Sequence, residues 1–149
     1  MDLGEKEVKL LVDKFIEFLK QNNVSLEKKK NYAIPVSILS NELSVTEAIV
    51  KFLREEYQLS YKKIAVLLYK KEGPIGVTYR NAKKKFHDTL NIKSEHYIPI
   101  EVFSSKYTLF ESVVRYMHDE MKFSFKKVAE LLHRNYRTIW TIYRRAEKK

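Results

Sequence analysis

On a helix that turns about 100° per residue, Arg137, Thr141, Arg144 and Lys148 share one stripe, with Thr138 and Arg145 beside it. These residue types suit the major groove of duplex DNA. Arginine bonds guanine through two N–H groups, threonine meets the thymine methyl, and the remaining cations hold phosphates. Ile139, Tyr143 and Ala146 lie on the other side of the same helix and are expected to pack inward. An earlier stretch carries a weaker version: Arg80, Asn81 and Lys84 on the outer face, preceded by Lys70 and Lys71. There Gly73, Pro74 and Gly76 stand where the later stripe has Arg137, Thr138 and Trp140. The earlier helix has lost the long side chains at its start. Base readout is therefore expected mainly from the later stripe, and phosphate contacts from the earlier one. Trp140, off the stripe between Tyr136 and Tyr143, is expected to pack in the core or between the two units, the alternative being to stack on nucleic acid.

The elements that must position these stripes come in duplicate. Residues 34–85 align without a gap on residues 98–149, at a constant offset of 64 and with 18 identities in 52 positions. Ile34-Pro35 falls on Ile98-Pro99, Glu47 on Glu111, Ser60 on Ser124, and Tyr79-Arg80 on Tyr143-Arg144. Unrelated amphipathic stretches do not hold register over such a length, so an internal duplication is expected. Each copy reads as three helices. Ser44-Val-Thr-Glu47 and Thr108-Leu-Phe-Glu111 are capping boxes for the first helix. Ser60 and Ser124 are N-caps for a short second helix. A turn at Lys70–Gly73, or at Arg134–Tyr136, leads to the third. Before each copy's helices, alternating apolar residues (34, 36, 38 and 98, 100, 102) predict an extended arm or short strand. Residues 5–22 form a separate amphipathic helix whose apolar side holds Val8, Leu11, Val12, Phe15 and Leu19. It is expected either to pack on the repeats or to join two copies of the chain.

A short helix, a tight turn and a basic third helix make the tri-helical helix-turn-helix. Phe123-Ser-Phe-Lys-Lys-Val-Ala-Glu-Leu-Leu132, followed by Arg134-Asn-Tyr-Arg-Thr-Ile-Trp-Thr-Ile-Tyr-Arg-Arg-Ala146, resembles the signature of sigma-factor region 4-like helix-turn-helix domains. Leu59-Ser60-Tyr61 opens the earlier copy in the same way. Both copies carry lysine, Lys63 and Lys127, where that pattern has glutamate. The resemblance spans both copies and implies duplex-DNA binding through the third helix. Gly73-Pro-Ile-Gly76 also has the G-x-x-G spacing of KH RNA-binding loops, but its duplicate lacks both glycines and no suitable strands accompany it.

The 149 residues carry a net charge of +10, and its distribution supports the same reading. The copies hold +5 each, residues 1–33 hold +1, and the connector holds −1. Within each copy, residues 70–85 and 134–149 have six basic residues against one acidic. The surplus thus sits where a recognition helix meets phosphate. With no cysteine, disulfides, thiolate metal sites and cysteine nucleophiles are excluded. The four histidines lack ligand spacing and no Ser/His/Asp set or carboxylate pair is apparent, so no metal, no cofactor and no catalysis are expected. No signal peptide or membrane span is expected, which points to a cytoplasmic, nucleoid-associated protein.

The expected fold is all-α: an N-terminal helix (1–33), a helix-turn-helix unit (34–86), a connector (87–97) and a second unit (98–149). The expected partner is double-stranded DNA, bound as a transcription regulator by a monomer acting as a pseudo-dimer or by a homodimer. The alternatives are a sequence-tolerant chromatin organiser and an adaptor that docks on the transcription machinery.

Overall fold

The computed structural model describes residues 4–21, 31–40 and 42–149. They belong to two compact units, residues 1–30 and 31–149. In the first, helix α1 (Glu5–Gln21) starts with Glu5 and Glu7 and ends with Lys20, charges that complement the helix dipole. None of its residues is buried, and Val8, Leu10, Leu11, Val12, Phe15 and Phe18 are exposed.

The second unit begins with strand β1 (Ala33–Pro35) and a 3₁₀ turn (Val36–Leu39). Helices α2 (Val45–Glu55), α3 (Tyr61–Leu68) and α4 (Glu72–Lys85) follow. The order then recurs: strand β2 (Tyr97–Pro99), a 3₁₀ turn (Ile100–Val102) and α5 (Leu109–Arg115), which runs into a π turn over Tyr116–Glu120. Helices α6 (Phe125–Leu132) and α7 (Tyr136–Glu147) complete it. Among the described residues there are seven α-helices and one two-stranded sheet. The protein is mostly helical.

Local chemistry explains the helix starts. Ser44 and Thr108 each accept from the backbone N–H of the glutamate three residues on, and that glutamate accepts from the cap's own N–H. Ser60 and Ser124 cap α3 and α6 by accepting from Lys63 and Lys127. Both short helices end in a left-handed residue, Tyr69 at φ 57° and His133 at φ 51°. Among the described residues the other positive-φ positions are Gln58 and Lys122, and the four form two pairs 64 positions apart.

Two expectations need correction. A short strand forms in each arm as expected, but it lasts three residues, and the chain then coils into a 3₁₀ turn where the alternation would have continued it. Three residues per turn put Val36 and Leu39 on one face, and both are buried, as is Ile38. Alternating apolar residues are therefore satisfied without a strand. The turns into the third helices also lie earlier than expected, because α4 already starts at Glu72 and α7 at Tyr136. Gly73 and Pro74 thus belong to the first turn of α4, where the missing N–H of proline costs no helical bond.

The strands pair antiparallel, with Ile34 opposite Ile98, Ala33 opposite Pro99 and Pro35 opposite Tyr97. Two further bonds flank them, from Val36 N–H to the His96 carbonyl (3.0 Å) and from Ile100 N–H to the Tyr32 carbonyl (2.9 Å). Helices α2 and α5 also touch each other. The buried side chains of both halves, from Tyr32 to Ile139, form one continuous core.

Candidate nucleic-acid interface

Helix α7 is held from behind. Ile139 and Ala146 are buried against the preceding helices, and the Tyr143 hydroxyl donates to Asp119 at 2.8 Å. That bond, with burial and the Asp119 charge, pushes the tyrosine up to about 12, so the hydroxyl stays protonated. Asn135 caps the helix by accepting from Arg137 N–H at 2.8 Å. With the inner face fixed in this way, Arg137, Thr138, Thr141, Arg144, Arg145 and Lys148 are all exposed. Arg144 pairs with Glu147 at 2.8 Å, but both side chains are about half exposed. A surface pair of this kind is weak enough to yield to a phosphate.

Helix α4 is backed similarly. Ile75 and Ala82 are buried, and Tyr79 donates to Glu55 at 3.1 Å. Lys70, Lys71, Arg80, Asn81 and Lys84 are exposed. Between them lies exposed Val77, and Lys71 caps the helix without a side-chain bond. The outer face of α4 is therefore cationic only beyond its first two turns.

Trp140 departs from expectation: it is 43% exposed, with the Arg144 guanidinium 5.4 Å from its ring centre. The inward position belongs to Ile139, one residue and about 100° away. Tyr136 is exposed too. The sequence reading missed both as surface aromatics, since their neighbours suggested a core role. At the matching place in α4 stands Gly76, where a Cβ would make ordinary contact with the Tyr61 ring, 3.5 Å from its nearest carbons, and with the Arg80 guanidinium. Tyr61 is held there by Arg54, whose guanidinium sits 4.6 Å from the ring centre.

Lys85 and Lys149 each reach back to a buried carboxylate, although both residues remain exposed. Lys85 bonds the Glu47 carboxylate at 3.0 Å, and Lys149 bonds Glu111 at 2.6 Å. Each pair ties the start of one helix to the end of the third helix that packs on it. Glu47 and Glu111, the glutamates of the two capping boxes, are themselves buried. Burial pushes both carboxyls up, but bonds from the cap N–H and hydroxyl and from the lysine outweigh it, holding both below the ordinary carboxylate value. Their stabilisation is complete above about pH 4.5, the unfolded value, and is lost as pH falls through the lower folded values. Glu47→Gln/Glu111→Gln is expected to unfold at lower urea concentration at neutral pH. Its midpoint should also fall less than the parent's between neutral pH and about pH 3.5. Urea titrations at both pH values check this.

A separate concavity of about 420 Å³ is bordered by Tyr107, Ser112, Arg115, Tyr116 and Asp119, and none of the predicted interface residues lines it. Glu101, Asp119 and Glu120 on its wall would repel a phosphate. Among the described residues, no group of three or more His, Asp or Glu side chains is placed to hold a metal ion, and no helix is long and apolar enough to cross a membrane. The chain matches no protein-family model, no curated protein and no solved structure.

Proposed function

We propose that residues 34–149 form two tandem helix-turn-helix units that bind double-stranded DNA without catalysis, α7 and α4 entering major grooves. The observation that carries this reading is the outer face of α7: six exposed groove-compatible side chains on a helix whose opposite face is locked in the core. The repeated caps, turns and tyrosine–carboxylate bonds support two units of one design. The role is that of a transcription regulator inside the cell, α7 supplying most base readout and α4 mainly phosphate contacts.

Binding to random-sequence duplex across a salt series tests the reading. The logarithm of the binding constant should fall linearly with the logarithm of salt, with a slope near about −5 for five or six neutralised phosphates. A flat response, or no binding, would favour an adaptor that uses the same scaffold to dock on a protein.

A further inference from the structure

Resting on the DNA-binding reading, we infer that the target is an inverted repeat with two unequal half-sites, spanned by a single chain. The argument begins at the sheet. In an antiparallel pair, a two-fold axis normal to the sheet passes midway between residues directly opposite each other. Here those residues are Ile34 and Ile98, equivalent positions at the offset of 64. The rest of the register obeys the same exchange. Ala33 faces Pro99 while Pro35 faces Tyr97, and the Val36–His96 bond is mirrored by Ile100–Tyr32. Every position added to 64 gives its counterpart across the axis.

The symmetry extends beyond the strands. Each strand passes through a proline and a 3₁₀ turn into a capping-box helix. Each such helix is tied to its third helix by the same two contacts: Glu47–Lys85 and Glu55–Tyr79, or Glu111–Lys149 and Asp119–Tyr143. The equivalent helices α2 and α5 meet each other, as a two-fold interface requires. An axis that relates the strands therefore relates α4 to α7. Two recognition helices related by such an axis and seated on one duplex read its two strands in opposite directions. A translational relation would instead give a direct repeat.

The half-sites differ because the helices differ. Arg137, Thr138 and Thr141 face Gly73, Pro74 and Val77 across the axis. The α7 half should be the more sharply defined, and the α4 half should be short and degenerate.

Selection of bound duplexes from a random library by the full chain tests this. The enriched sites should contain two inverted half-motifs at a fixed spacing, one strong and one weak. Repeating the selection with Arg137→Ala should blur the strong half alone, and with Arg80→Ala the weak half alone. A direct repeat, a lone half-motif, or binding with no enriched motif would overturn the inference and leave DNA binding standing. Failure to bind any duplex would overturn both.

Discussion

Lys51→Ala is expected to lower the unfolding free energy by about 3 kcal/mol, the usual scale for breaking a buried charge pair. Lys51 is fully buried on α2, an unusual place for a lysine. Its ammonium bonds both Glu55 carboxylate oxygens and, at 2.9 Å, the carbonyl of Asp88 beyond the end of α4. The ring of Phe86 lies 5.9 Å away. Removing the side chain strands a carboxylate that keeps only the Tyr79 hydroxyl, leaves the Asp88 carbonyl without its donor, and opens a cavity. The melting temperature should fall by about 10 °C, measured by circular dichroism. Arg115 occupies the equivalent position in the second half, but its side chain is 37% exposed and only 4.0 Å from Asp119. Arg115→Ala should therefore cost less than about 1 kcal/mol. Equal losses for the two variants would show that burial of Lys51 is not what makes it matter.

Arg137→Ala/Arg144→Ala is expected to weaken binding to a selected duplex about 100-fold, roughly 3 kcal/mol for two groove contacts. Neither side chain supports the fold: both are exposed, and among the described residues Arg144 forms a salt bridge only with half-exposed Glu147. Melting should be unchanged, which separates lost contact from lost structure. Arg80→Ala/Lys84→Ala on α4 should cost about tenfold, Arg80 through the weak half-site and Lys84 through a phosphate contact that does not depend on sequence. Fluorescence anisotropy at one fixed salt concentration measures both. If the α4 variant lost as much affinity as the α7 variant, the unequal division between the helices would be wrong.

The parts of the fold legible in the sequence were those with short-range causes. The boxes at Ser44 and Thr108 and the caps at Ser60 and Ser124 are settled by atoms within three residues. The inner faces of the third helices follow from helical spacing, and Ile139 and Ala146 are buried as that spacing requires. Features that depend on distant neighbours were not legible. Nothing near Lys51 announces that a carbonyl 37 residues away will receive its proton donor. The bonds that Lys85 and Lys149 make are set by Glu47 and Glu111, each 38 residues earlier, so their pairing was not legible although their exposure was. Trp140 was expected to pack because aromatic neighbours surround it in sequence, whereas its angle beside buried Ile139 points it outward. The candidate stripe was visible as a pattern; the orientation of the two halves was not. The equivalence of Ile34 and Ile98 is written in the sequence, but their pairing is a tertiary event.

The paired strands have one more consequence, for dilution. Separate chains that bind as dimers fall apart as concentration drops, so occupancy of their target declines faster than first order. Here both strands of the ladder belong to one polypeptide, joined by the segment between α4 and β2. The halves meet at an effective concentration set by that tether rather than by how much protein the solution contains. Any partner that must touch both halves should be bound with simple one-to-one behaviour down to a few copies, and each half is free to diverge without its twin changing too.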